Sequence, residues 1–374
     1  MSEDFKKKLL NRTKKEFYNC INQFKKDFRP SKSLQGFSSG VIVCEKNYPN
    51  LNLIPLNNYK EESHFSKEKE IVKKDYSEIF KIKSRNIAGK FNLNIKNKNK
   101  NLDNIRDIIA SKKKVEYESI FKKEIKINNI VTNNLIGIVG SKNELKEIKK
   151  GNVPRSKIVD KYMNDDIKSE DAVYSLYCKK VNENQIISLF TLGSFGYSFN
   201  KKLVPSRWGT TAYDSIISER LYDEIKHNKI INKNLYFFKE DKGNRFHIFM
   251  FSHKHTFESI EIIYNKNDIK IIQDYIIDNK RIDPNTAGGF YATRLAVLEF
   301  LNRIKRQASI VVIREIKDYE IPLGVIFVRE TVRDALKKVY SFNKIDDLKP
   351  ILQSKVFSVL KKSKTINKKT LLDF

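Results

Sequence analysis

The chain has 374 residues, 40% of them hydrophobic and 11% aromatic, enough to build a core despite 32% charge, which excludes an unfolded polyelectrolyte. Lys+Arg 73 against Asp+Glu 45 leaves a net charge of +28, a field that draws in polyanions, nucleic acid first, although codon drift toward Lys, Asn and Ile raises the same number. Three scattered cysteines, Cys20, Cys44 and Cys178, exclude a disulfide framework or cysteine zinc site, and no apolar run reaches the ~18 residues of a membrane span, so a reduced, cytoplasmic protein with no membrane partner is expected.

Residues 5–28 place Phe17, Ile21, Phe24 and Phe28 at helical spacing, which predicts a basic amphipathic helix within 1–30 that docks on the core or lies on an anionic surface. Residues 40–44 predict a buried strand, closed by the turn Asn47-Tyr-Pro-Asn50, and residues 51–56, with Pro55 inside, an extended edge segment. The Lys/Asn tract at 94–104 predicts an exposed loop, and β-type alternation resumes over 125–139. In the acidic run 160–171, Asp165 and Asp166 can bind a divalent cation or serve the dipole of the helix that follows. Gly193-Ser-Phe-Gly196 lacks the third glycine of a dinucleotide fingerprint, and no phosphate-loop motif occurs.

Residues 203–215 hold the single tryptophan, Trp208. Pro205 and Gly209 bracket Arg207 and Trp208, which predicts a tight, side-chain-placing loop feeding a helix from Thr210 or Thr211. Thr211-x-x-Asp214 has capping-box spacing, so Asp214 is a capping or an active-site carboxylate. Residues 234–240 and 245–252 predict a hairpin about Asp241-Lys-Gly-Asn244, after which His253, His255 and Glu258 can serve as metal ligands or as structural groups.

A glycine pair then opens a helix to Arg306 whose apolar face is Val297, Leu298, Leu301, Ile304 and Ala308. Arg294 falls on that face and must pair with a carboxylate or bind an anion, while Arg303 and Arg306 fall on the polar side as candidate DNA contacts. Residues 309–313, ending in Arg314-Glu315, and 322–328, ending in Arg329-Glu330, predict an antiparallel strand pair before a helix over 331–338. From Lys355 onward there are six Lys against one Asp, which predicts a tail leaving the body, with Leu371 and Phe374 at its end on one side of a turn. The sum is an α+β (mixed α/β) fold: a compact intertwined body with antiparallel strand pairs, a C-terminal helix-strand-strand-helix unit and a flexible basic tail.

The run Leu203-Val-Pro-Ser-Arg-Trp-Gly-Thr-Thr-Ala-Tyr-Asp214 resembles the VPTRWSITAVDD signature of the Nre family of archaeal DNA-repair proteins. Matches follow in family order at Asp166, Ala172-Val, Leu176-Tyr177, Gly193, Gly196, Gly243-Asn-Arg-Phe246, residues 288–299, Arg306-Gln-Ala308, Arg314-Glu315, Pro322-Leu-Gly-Val325 and Arg329-Glu330. This resemblance, over residues 36–340, divides the chain into the helix of 1–30, an N-terminal-like region 36–260, a C-terminal-like region 265–340 and the tail 341–374. It implies a protein of DNA-damage repair that docks on the sliding clamp (PCNA) through a C-terminal Q-x-x-L-x-x-F motif. Leu371 and Phe374 match the apolar anchors; Lys368 stands where glutamine is usual, which weakens docking without abolishing it. The cysteine cluster of many members is missing, so neither zinc nor another cofactor is expected, and His253 and His255 lie outside the family pattern.

Two functions follow. In one, an enzyme, Arg207, Trp208, Asp214, Arg294, Glu299, Arg314, Glu315, Arg329 and Glu330 converge on a cleft that processes damaged DNA, a nucleotide or another anionic ligand. In the other, an adaptor, the same set is an internal ion-pair lattice, the basic surface binds DNA and the tail recruits the clamp. The adaptor leads, because the chain carries no recognisable nucleophile, nuclease or phosphate-loop motif.

Overall fold

Alternation of apolar and polar side chains from Ser33 onward is the pattern of paired strands, and it generates the first sheet. The structure, a computed structural model, describes residues 15–16, 18–59, 68–96, 98–127, 130–133, 137–264, 268–277, 280–281, 288–317 and 323–367. Two compact units result, Arg12–Ile217 with Pro322–Ile326, and Ser218–Ile321 with Phe327–Phe374.

In the first unit, helix α1 (residues 18–27) buries Ile21 and Phe24, and Phe24 and Phe28 meet Tyr59 at ring-centroid distances of 5.8 and 5.6 Å. This is the core-docked alternative for the helix; Phe17 lies outside the described residues. The chain continues through β1 (Ser33–Cys44), β2 (Asn50–Asn58), α2 (Glu68–Ile71), α3 (Tyr76–Lys83), β3 (Asn86–Asn94), α4 (Lys100–Ile109), β4 (Glu116–Phe121), β5 (Ile130–Asn133) and β6 (Gly137–Lys150). Three short helices follow, α5 (Lys157–Asn164), α6 (Ser169–Cys178) and α7 (Glu183–Thr191), and then the long α8 (Ser206–Ile225), of which residues 206–217 belong to this unit.

The strands run in the order β3-β2-β1-β4-β6-β5, and β3 also pairs with β6 in parallel, so five strands close on themselves with β5 appended. Long β1 makes closure possible by serving two neighbours, β4 along residues 33–37 and β2 along residues 37–44, with a register shift between Ser38 and Gly40 where φ is 131°. Ile42, Ile54, Leu56, Ala88 and Val139 pack together as one buried cluster.

The second unit contains β7 (Asn234–Asp241), β8 (Asn244–Phe251), β9 (Thr256–Tyr264), β10 (Ile269–Ile277), β11 (Lys280–Arg281), α9 (Gly288–Ile304), β12 (Ser309–Ile316), most of α10 (Gly324–Ala335), β13 (Val339–Phe342) and α11 (Ser354–Lys361). Its sheet runs β11-β10-β9-β12-β8-β7-β13. The predicted hairpin forms as β7 and β8, turning on Lys242 and Gly243 with φ of 45° and 71° as a left-handed two-residue turn requires. Strand β12, wholly buried and β-branched from Ile310 to Ile313, sits between antiparallel β8 and parallel β9.

Several expectations are corrected. Residues 324–328 are helical in α10, so the C-terminal unit is helix-strand-helix, and β12 pairs with β8 and β9 instead of with a neighbour in sequence. Within the 94–104 tract, Asn99 caps α4 through bonds to the N–H groups of Asn101 and Leu102, and Leu102, Ile105, Ile108 and Ile109 give that helix a buried face. Strand β2 is interior; its ladder with β3 lapses between Leu53 and Leu56, which accommodates Pro55. Ile304, assigned to the apolar face of α9, is exposed at its end.

The tail is corrected as well, as far as Asn367. Leu348, Leu352, Val356, Val359 and Leu360 pack on the sheet face of Tyr236, Phe249, Phe251, Ile260, Ile262, Val311 and Ile313. Beyond α11, the buried Glu258 carboxylate of β9 accepts from Ser363 Oγ at 2.6 Å, from the N–H groups of Lys364 and Thr365 at 3.0 and 2.9 Å, and from the Gln273 amide. Lys368, Leu371 and Phe374 lie outside the described residues. Among the described residues, no helix is long and apolar enough to cross a membrane.

Candidate functional site

Pro205 pre-sets the helical turn, so α8 opens at Ser206, four residues before the expected start, and Arg207 and Trp208 sit in its first turn. Helical bonding begins at once: the Gly209 N–H donates to the Pro205 carbonyl at 2.9 Å and the Thr210 hydroxyl to the Ser206 carbonyl at 2.9 Å. Ser206 Oγ accepts the Val43 N–H at 2.9 Å, tying the end of β1 to the helix start. Gly209 is required by a close approach, since a Cβ there would stand 2.5 Å from Thr191 Oγ1 on α7.

The turn between β1 and β2 meets the same helix start. Tyr48 is held by its N–H to the Glu45 carbonyl at 3.2 Å, and Asn50 closes the turn onto Asn47, whose φ is 72°, at 2.7 Å. Tyr48 and Trp208 are in contact, centroids 5.7 Å apart at 46°, yet remain 52% and 48% exposed. Arg207 approaches Glu45 at 3.7 Å with both side chains largely in solvent, a contact worth little on its own. A cavity of about 80 Å³ lies beside this helix start, lined in part by Ser206, Thr210 and Thr191 and by the buried Lys83–Glu68 ion pair at 2.5 Å. Burial pushes the nearby Cys44 thiol up, against the opposing charges of Lys142 and Lys90.

Asp214 lies buried well inside α8, so the capping-box alternative falls with the earlier helix start. The remaining six candidates belong to the second unit, where β12 directs Arg314 and Glu315 to opposite faces of its sheet. Arg314 donates to Glu261, its partner in register on β9, at 2.9 Å and to Asn244 Oδ1 at 2.9 and 2.7 Å. Glu315 accepts from Tyr264 at 2.6 Å and contacts His247 Nε2 at 3.0 Å, and His247 Nδ1 contacts the Tyr236 hydroxyl at 2.9 Å. Burial alone would raise the Glu315 carboxyl; hydrogen bonds from His247 and Tyr264, with the charges of His247 and Arg245, carry it below its ordinary value.

Glu299 and Glu330 are brought together by Arg333, which meets Glu299 at 2.8 Å through both Nε and Nη2 and Glu330 at 2.6 Å. Arg329 is fully buried. Burial pushes the Arg294 guanidinium down to about 10, with the charges of Glu219, Tyr291 and Tyr222 acting the other way. His255 meets the Tyr222 ring at a tilt of 47° with centroids 5.4 Å apart, contacts the Ala308 carbonyl through Nδ1 at 3.1 Å, and is pushed down to about 3 by burial and by Arg294.

Asp166 accepts the Ser198 N–H at 2.9 Å, and no group of three or more His, Cys, Asp or Glu among the described residues could hold a metal ion. Arg303 is exposed, its guanidinium over the Phe300 ring at 5.4 Å, and Arg306 donates to the Lys305 carbonyl at 3.1 Å. Sequence reasoning missed Tyr48, Arg333, Glu261, His247 and Glu219. For Tyr48 a signal existed, an aromatic inside a turn at a strand end.

Comparison with known proteins completes the site. The family described as Archaeal Nre, N-terminal, matches residues 13–267, and Archaeal Nre, C-terminal, matches residues 277–373. The chain is 40% identical over 197 residues to DNA repair protein NreA of Archaeoglobus fulgidus, a match covering 50% of this chain and 50% of that protein. It is 28% identical over 272 residues to NreB of the same organism, covering 70% and 68%, and 30% identical over 186 residues to NreA of Haloferax volcanii, covering 46% and 44%. The match thus spans half the length of the first of these relatives.

Proposed function

We propose, because this chain belongs to the archaeal Nre family, that it is a cytoplasmic DNA-repair protein that binds DNA through its basic surface and is recruited to the sliding clamp by residues 368–374. The observation that carries this reading is the pair of family matches, adjoining along the chain, to relatives named as DNA repair proteins. The net charge of +28 and the exposure of Arg207 and Arg303 favour a polyanionic partner.

Its role is that of an adaptor. Arg314, Glu315, Glu299 and Glu330 are each engaged by protein groups in the second unit, which is how a lattice that holds a fold is built. Support for clamp docking comes from Leu371 and Phe374 at motif spacing and from the Glu258 anchor at 363–365, which ties down the chain just before them. Deleting residues 371–374 should abolish pull-down by an archaeal sliding clamp while DNA affinity stays unchanged. Pull-down equal to that of the full chain contradicts the docking claim.

A further inference from the structure

The first unit closes its strands in the order β1-β2-β3-β6-β4 and back to β1, antiparallel except between β3 and β6. Helix α4 lies in the crossover from β3 to β4, and β1 is shared between two neighbours at a bulge. This is the connectivity of an OB-fold, a barrel whose second and third strands and whose loop between strands one and two hold oligonucleotides or oligosaccharides. Here that loop is residues 45–49, and it carries Tyr48, already in contact with Trp208.

Each ring is about half exposed, at 52% and 48%, as an aromatic is when one face is covered and one is open. Both are held on firm supports, Tyr48 by its turn and Trp208 by the first turn of α8 beside the Val43–Ser206 bond. Aromatic faces of this kind stack on bases without regard to sequence, and they need a base whose own faces are open. Duplex DNA hides those faces; unpaired strands present them. Cations stand close by: Arg207 is 64% exposed, Lys90 lies part-exposed on β3, and the charges of Lys90 and Lys142 reach the end of β1. Glu45 holds Arg207 only through an exposed 3.7 Å contact, which a phosphate can replace. The +28 charge selects a nucleic acid over an uncharged sugar chain.

We propose that Tyr48 and Trp208, with Arg207 and the open positions Asn52 of β2 and Lys90 and Asn92 of β3, form a binding site for single-stranded DNA, the rings stacking on unpaired bases and the cations holding phosphates. This rests on the DNA-binding reading above and specifies which DNA is bound. It also gives the signature stretch a purpose, since α8 delivers Trp208 to the barrel's binding loop.

The test is fluorescence anisotropy with the full chain, a labelled oligothymidylate of about 15 nucleotides, a duplex of equal length and an oligouridylate. Wild type should prefer the single DNA strand, and Trp208→Ala and Tyr48→Ala should each weaken it by about fivefold or more while duplex affinity changes by less than about twofold. Both residues are surface groups, and unchanged melting curves establish that the variants fold. Single-strand affinity unaltered in both variants overturns the site, as does an equal loss on single strand and duplex. Tighter binding of oligouridylate than of oligothymidylate overturns the choice of DNA. Absence of binding to any of the probes defeats the DNA-binding reading itself, an outcome separate from the others.

Discussion

Burial decides what the titratable side chains of the second unit can do. His255 is pushed down to about 3 in the fold, while in the unfolded chain it takes a proton near its ordinary 6.5. Below that pH the unfolded state binds more protons than the folded one, so this residue makes stability fall as pH falls from about 6.5 toward 3. From pH 7 to 5 the loss is on the order of 2 kcal/mol. Denaturant unfolding of wild type and His255→Asn at the two pH values should show the variant's stability dropping less by that amount; parallel drops contradict the assignment. Glu315 adds to the loss at the acid end of that range: its depressed carboxyl contributes stability that is present above its ordinary 4.5 and is lost as pH falls through the depressed value. Arg294 illustrates what could be foreseen at this scale: helical periodicity put it on the buried face, and it is buried there. Its carboxylate neighbour Glu219 is 75 residues away in sequence, on another helix, where no local pattern points to it.

The start of α8 depends on how closely it approaches α7. Gly209→Ala would place a methyl 2.5 Å from Thr191 Oγ1, a clash costing about 1–3 kcal/mol, more than the ~1 kcal/mol that alanine gains over glycine in a helix. In a Thr191→Ala background the clashing atom is gone, and Gly209→Ala should then stabilise. Thermal melts of the four proteins test this, and destabilisation of equal size in both backgrounds rules it out. Elements with a strong local period were legible: β7 and β8, α9 and β12 appear where alternation, glycine placement and β-branching put them. Short apolar runs were not. Residues 322–328 carry the composition of a strand, and only continuation through Thr331 to Ala335 makes helix the lower-energy choice for 324–328. The start of α8 was misplaced because glycine at 209 was taken to end a loop, when it serves packing inside a helix.

Across the molecule, composition announced a basic folded protein, and the family signature pointed to α8, but neither could reveal the barrel. Its closure depends on β3 meeting β6, strands separated by more than 40 residues, and such pairings leave no local trace. Tyr48 carried a local signal as an aromatic inside a turn, but its pairing did not, because its partner Trp208 is supplied by an element 160 positions later in the chain. In the proposed account the chain's charge attracts DNA, and its barrel and helix start choose among the forms that DNA takes. Phosphate-driven binding of DNA by the full chain, on which these roles depend, is tested most directly by titrating labelled single-stranded DNA at increasing salt. Affinity should fall at least about tenfold between roughly 50 and 200 mM as salt cations compete for the phosphates. A flat response over that range, or no binding at the lowest salt, contradicts it.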